Sequence, residues 1–256
     1  MSELIFLGTG ASSGTPMLAC NCKVCSSNSK FNKRLRPSIL LKINNQNILI
    51  DVGPDVRYQL LKNKVLSLNS FILTHAHYDH LGGLDDLREY YRRQQNPLKC
   101  YLSTDTYYEV RKKFSHLFQK NYKKHTQSAK FDFHVLKKDE GIFKIDGSTF
   151  EYFSYFQDQM KVTGIKVKNI AYVTDIKRYE EKIFSHLQDI DVLIVSALRD
   201  EVSPVHFNLE EAIEFSKKTS AKKVYLTHLG HELDYKMNST LPKKIKLAYD
   251  GFKFEL

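Results

Sequence analysis

The chain has 256 residues, 42% of them hydrophobic, enough to bury a substantial core as one domain spanning residues 1–256. No apolar run reaches membrane-spanning length, and Met1-Ser-Glu carries no basic segment ahead of an apolar one, so a cytoplasmic protein without a membrane partner is expected. A formal net charge of +10 fits phosphate or nucleic-acid partners, but a solvated lysine-rich surface is the plainer reading, since charge alone speaks to solubility and non-specific binding.

In chain order, Leu4-Ile-Phe-Leu7 reads as an opening strand running into a glycine-rich turn, Gly8 to Gly14. Cys20-Asn-Cys22-Lys-Val-Cys25 follows. Ser38–Ile43 and Asn47–Ile50 flank Asn44-Asn-Gln46, a hairpin signal, and Asp55 to Leu61 has helical spacing behind an Asp cap. Phe71–Thr74 is a short apolar strand that delivers His75-Ala-His77-Tyr-Asp79-His80 just before Gly82-Gly83. Helices are predicted over Leu84–Arg93 and Thr104–Phe118, with Cys100 buried in a strand between them. Lys112, Lys113, Lys120, Lys123, Lys124 and Lys130 gather among aromatic residues. Gly141–Tyr155 reads as a hairpin turning at Asp146-Gly147. Asn208 with Glu211 predicts a capped helix from Leu209 to Lys218. His116, His125, His134 and His186 sit away from any motif and read as surface or packing residues.

Two clusters carry chemistry. The stretch from His75 to His80 packs four imidazole and carboxylate ligands into six residues, a set that suits Zn, Mn or Fe and is dense enough for two ions. Cys20, Cys22 and Cys25 supply three thiolates, whereas zinc–thiolate sites want four ligands. One disulfide among them would strand a thiol, so metal is the expected reading. His231, three residues beyond His228, is free to turn toward them.

The His-x-His-x-Asp-His pattern, the opening strand and turn, Ile48-Leu-Ile-Asp51, Ala171-Tyr-Val-Thr-Asp175 and Val224-Tyr-Leu-Thr-His228 together resemble the metallo-β-lactamase superfamily, in its chain order. The resemblance implies an α+β fold, a four-layer αββα sandwich with metals at one edge. It places one divalent ion on His75 and His77 and another on Asp79, His80 and His228, with Asp175 bridging and Asp51 bracing the histidine loop from behind. Mn or Zn ions sharing a water would make it an attacking nucleophile against a small phosphodiester, cyclic or phosphoribosyl in type. The cysteine cluster is similar to that of the PhnP type, phosphoribosyl cyclic phosphate phosphodiesterases, and implies a separate structural zinc on Cys20, Cys22, Cys25 and His231.

Pro204-Val-His206 resembles a segment that sets a histidine beside the phosphate, so His206 joins Asp79 as a catalytic candidate and would protonate the leaving oxygen. One departure stands out. Where the family has a further histidine, this chain reads Gln157-Asp158, and either residue can take the place: Asp158 as an oxygen ligand favouring a harder ion such as Mn, or Gln157 as a poor ligand that leaves the first metal weak. The loss also leaves room for a degenerate, non-catalytic binding protein, as in relatives of the pyrroloquinoline quinone synthesis protein B. A single-strand nuclease or tRNase Z-like enzyme shares the opening turn, so nucleic acid stays open as a substrate. A homodimer is the base-rate expectation for a soluble enzyme.

Overall fold

The computed structural model describes residues 2–118 and 128–256; Lys120, Lys123, Lys124 and His125 lie outside them. Within the described residues, β1 (Glu3–Gly8), β2 (Ser38–Ile43), β3 (Gln46–Ile50), β4 (Ser70–Leu73), β5 (Leu98–Ser103) and β6 (Phe131–Leu136) line up in that order in one sheet. The second sheet orders β7 (Glu140–Ile145), β8 (Ser148–Gln157), β9 (Met160–Val167), β10 (Ile170–Val173), β11 (Val192–Ser196), β12 (Lys223–Thr227) and β13 (Ile245–Leu247). A last strand, β14 (Lys253–Glu255), crosses back to pair antiparallel with β1. In each sheet antiparallel hairpins give way to a parallel run: β3 to β6 in the first, β10 to β13 in the second.

The parallel strands are apolar on both faces because both faces are covered. In β11, Val192 and Ile194 join the core between the sheets, while Leu193 and Val195 point into the core beneath the outer helices. That second core takes Ile183 from α5 (Ile183–His186) and Leu209, Ala212 and Phe215 from α6 (Leu209–Lys217). On the opposite side, α1 (Val56–Lys62), α2 (Tyr78–Leu81) and α4 (Thr104–Lys113) contribute Val56, Leu60, Leu81 and Val110, with α3 (Arg88–Gln94) at the rim. The result is the αββα sandwich expected from the sequence.

Local chemistry explains most element ends. Asn44 and Asn45 turn between β2 and β3 with φ of 50° and 61°, a left-handed pair that asparagine tolerates; Gln46 already belongs to β3. Helix α6 opens on a reciprocal capping box between Asn208 and Glu211. Three sequence expectations needed adjustment. The helix expected over Leu84–Arg93 starts as a 3-10 turn, Leu84–Leu87, whose two leucines are both buried, before α3 begins. The one expected over Thr104–Phe118 ends at Lys113, then resumes as a 3-10 turn over Ser115–Phe118. Asp55 does not cap α1 with its side chain, because that carboxylate accepts the Arg36 backbone N–H at 2.8 Å and pairs with its guanidinium.

Candidate metal centre

The motif residues stand at the carboxyl ends of the strands, the edge where α/β sheets present their ligands. Asp51 follows β3, His75 lies just past β4, Asp175 just past β10, and His228 follows β12. Asp51, Asp175 and His228 each take a left-handed conformation, with φ of 64°, 56° and 55°. Such corners cost about 1–3 kcal/mol for a residue with a side chain, and they concentrate at functional sites. Here they turn each strand end inward, toward a common point.

The loop from His75 to His80 is packed on the turn after β3. His80 O accepts the Val52 N–H at 2.7 Å, and Val52 O accepts the Gly83 N–H at 2.9 Å. A Cβ on Gly53 would lie 2.1 Å from Asp79 O, so only glycine permits this approach. The opening turn serves the other end of the site: Leu229 donates to Thr9 O and Ala11 donates to Leu229 O, which ties the residue after His228 to the first loop.

Four groups converge. His80 Nε2 lies 3.3 Å from Asp79 Oδ2 and 3.2 Å from Asp175 Oδ2; His228 Nε2 lies 3.4 Å from Asp79 Oδ2 and 3.1 Å from Asp175 Oδ1. Ligands about 2.0–2.1 Å from a tetrahedral zinc sit about 3.3 Å apart along each edge, so Asp79, His80 and His228 fit around one ion, while Asp175 turns one oxygen toward each histidine. All four residues are buried. Burial works to raise both Asp79 and Asp175, but the nearby His80 and His228 charges outweigh it and hold both carboxyls well below the usual range. Burial likewise works to lower His80 and His228, and the surrounding carboxylates overcome it and raise both.

His75 and His77 form a second group, with His75 Nε2 3.1 Å from His77 Nδ1. Burial, reinforced in His75 by the His80 charge, lowers both and leaves their rings neutral at pH 7. Behind them Asp51 is fully buried. It accepts the Thr74 N–H and hydroxyl at 2.9 Å and faces His80 Nδ1 at 2.7 Å. Thr74 Oγ1 in turn meets His75 Nδ1 at 3.0 Å. One carboxylate thus sets the orientation of two imidazoles, as supporting groups behind metal ligands do.

His206 reaches the same cavity: its Nδ1 is 3.6 Å from Asp175 Oδ1 and its ring stacks on His228 with centroids 4.8 Å apart. Burial, with the His228 charge, pushes it down to about 4, so the ring is neutral at pH 7. The residue beside it is Gln157, whose Nε2 lies 2.9 Å from His206 Nε2. Asp158 is elsewhere. It is exposed in the two-residue turn between β8 and β9, with φ of 48°, and contributes only its carbonyl, to Arg178. The reason is strand alternation: Phe153, Tyr155 and Gln157 share the buried face of β8, and the strand ends there.

Cys20, Cys22 and Cys25 gather around His231 Nδ1, their sulfurs at 3.3, 3.4 and 3.6 Å from it. A tetrahedral zinc with sulfur at about 2.3 Å and nitrogen at about 2.0 Å predicts about 3.5 Å for that edge. The Cys25 N–H bond and His231 push the Cys22 thiol down to about 6, which favours a thiolate, while burial pushes Cys25 up to about 11. Met17 and Cys25 donate backbone N–H groups to Cys25 and Cys22 sulfur, and Glu232 stands 3.5 Å from His231 Nε2. No cysteine is paired in a disulfide. A buried guanidinium not anticipated from the sequence, Arg34, holds this loop by donating to Gly230 O and Leu233 O. His116, His134 and His186 pair with surface acids instead, and Cys100 is fully buried.

The beta-lactamase superfamily domain matches residues 46–229. An octanoyltransferase of Porphyromonas gingivalis is 31% identical over 97% of this chain, which spans only 50% of that relative's length. The crystal structure of a diphosphatase from the PhnP family superposes with a TM-score of 0.90 at 29% identity, covering 100% of this chain and 97% of the other. Zinc-bound PqqB from Methylobacterium extorquens has the same fold, with a TM-score of 0.81 at 18% identity over 99% and 100% of the two chains.

Proposed function

Because the chain belongs to the beta-lactamase superfamily domain family, we propose that it is a metal-dependent hydrolase of small phosphodiesters or diphosphates. The observation that carries this reading is the pocket of Asp79, His80, Asp175 and His228, with spacings of 3.1–3.4 Å at the carboxyl ends of the strands. Divalent cations held there and at His75 and His77 would polarise a phosphoryl oxygen and acidify water toward neutral pH. Cys20, Cys22, Cys25 and His231 would hold a separate zinc that pins the loop beside His228.

The protein's own groups supply the rest. Asp51 keeps the Nδ1 proton of His80 engaged, so Nε2 offers its lone pair to the site. Lys113 donates to Ala76 O at 2.6 Å, between the two histidines, and sets a positive charge beside His77 that would attract an anionic substrate. His206, neutral at pH 7, is read as a hydrogen-bond donor to the leaving oxygen rather than as an imidazolium acid. The likeness to a PhnP-family diphosphatase over nearly all of both chains supports the phosphate class of substrate. The octanoyltransferase relative extends well beyond this chain, and its activity stays with that protein.

Hydrolysis of bis(p-nitrophenyl) phosphate, a nucleoside diphosphate ester and single-stranded RNA, each with Mn²⁺ or Zn²⁺, tests the reading. Turnover of either small substrate that vanishes in His80→Ala supports it. Turnover of RNA alone, falling steeply with salt, would favour a nuclease instead. No turnover of any phosphoester by metal-loaded protein rejects the proposal.

A further inference from the structure

We propose that Gln157 is a positioning residue for His206: its amide occupies the Nε2 side of that imidazole, so the ring keeps its proton on Nδ1 and faces substrate as a donor instead of binding metal. The role given to His206 rests on the hydrolase reading above, but the place of its proton is read without turnover.

Both side chains are anchored to one short segment. Ile176 O accepts the Phe207 N–H at 2.9 Å, while the Lys177 and Arg178 N–H groups both donate to Phe156 O at 2.9 Å. The end of β8 and the loop that carries His206 are thereby fixed to the stretch just past Asp175. Gln157 and His206 meet there, 6% and 8% exposed, with their Nε2 atoms 2.9 Å apart. Gln157 Oε1 has no hydrogen-bond partner among the described residues, so the tie of this amide is to His206. Stacking on His228 sets the plane of the ring.

That contact decides what each ring nitrogen can do. The Gln157 –NH₂ can only donate, so His206 Nε2 accepts, and a neutral imidazole then carries its proton on Nδ1. Asp175 favours the same tautomer, because its Oδ1 faces Nδ1 and would meet a bare lone pair in the alternative. At 3.6 Å that carboxylate is beyond hydrogen-bond length, and His206 Nδ1 has no partner among the described residues. A buried N–H held in this way is available to a substrate oxygen. Asp175, His206 and His228 also lie close enough together to surround an ion. A protonated Nδ1 has no lone pair to give, so Gln157 keeps His206 out of that ligand set.

The first experiment locates the proton. Zinc-loaded protein with isotope-labelled histidine gives two-bond proton–nitrogen correlation spectra at mildly alkaline pH, and His206 is assigned by its loss in His206→Asn. Wild type should show Nδ1 protonated and Nε2 bare. Gln157→Glu puts an acceptor of the same shape in place of the donor and should bring a proton onto Nε2. A proton on Nε2 in wild type, or a bare Nε2 in the Glu variant, would overturn the proposal. The second experiment measures the consequence. In Gln157→Leu, kcat on diphenyl phosphate should fall about 10–100-fold with KM little changed. The fall should be about tenfold smaller on bis(p-nitrophenyl) phosphate, whose leaving oxygen needs less help from a donor. In a His206→Asn background the same substitution should cost nothing further. Equal losses on the two esters, additive losses in the double variant, or less zinc retained by Gln157→Leu would each overturn the proposal, since the amide would then act on the fold or the metal. Should wild type hydrolyse neither ester, the substrate reading fails, while the spectra still decide where His206 keeps its proton.

Discussion

Asp51→Asn separates the supporting role of this carboxylate from its contribution to the fold. The substitution is isosteric, and Asn Oδ1 can still accept the Thr74 N–H and hydroxyl that Asp51 Oδ1 accepts at 2.9 Å. The amide –NH₂ then replaces Oδ2 opposite His80 Nδ1, at the present 2.7 Å. To avoid two facing donors, His80 must accept at Nδ1 and carry its proton on Nε2, the nitrogen that faces Asp79 and Asp175. Ligation then requires the unfavoured tautomer. Loss of such a supporting contact weakens metal affinity about 10–100-fold, or about 1.4–2.7 kcal/mol. Competition with a metallochromic chelator measures the affinity directly. An unchanged affinity in a folded Asn variant would refute the idea that Asp51 sets the His80 tautomer.

Other perturbations follow the same physics. His80 and His228 are raised by their carboxylate neighbours, so an incoming ion must displace their protons; apparent affinity should strengthen about tenfold per displaced proton for each pH unit gained below those raised values, and a pH-independent Kd between 5.5 and about 7 would contradict this. Cys25→Ala removes one corner of the cysteine cluster and should lower the melting temperature and shrink its response to chelator to the part the active-site ions contribute, read by calorimetry with and without EDTA. Asn208→Ala breaks the capping box of α6 and should cost about 1 kcal/mol in urea unfolding, with m unchanged. Because His206 lies two residues before that cap, the same variant should also lower kcat on any phosphoester substrate, whereas unchanged kcat would show that the cap and the site are independent.

The parts of this molecule legible from sequence are those set by local pattern. Each motif strand is a short apolar run ending in an acid or histidine, because it is buried on both faces and then emerges at the site. The Asn44-Asn45 turn and the Asn208 cap are equally local. The residues that local pattern does not reveal depend on distant partners. Arg34 is recognisable as structural only through carbonyls at Gly230 and Leu233, and Asp250 only through Thr9 and Leu35. The helices after Gly83 and Ser103 look continuous in sequence, yet the tight approach of Gly83 to Gly53 O and the break at Phe114 divide them. At Gln157-Asp158 ligand chemistry points to the aspartate, but the strand buries Gln157 beside His206 and leaves Asp158 exposed in the turn.

The return of β14 to β1 has a kinetic meaning. The first sheet keeps an unpaired edge until residues 253–255 arrive, and the Thr9–Asp250 contact bridges a separation of 241 positions. The cysteine cluster waits on His231, 206–211 positions away. Closing loops of that length costs about 5 kcal/mol of chain entropy before any contact offsets it. Folding of such a topology is slow, and during synthesis on the ribosome the exposed β1 edge is a site for mispairing with other chains. Early zinc capture by the three cysteines alone would not relieve this, since the ligand that closes the cluster emerges more than 200 residues after them.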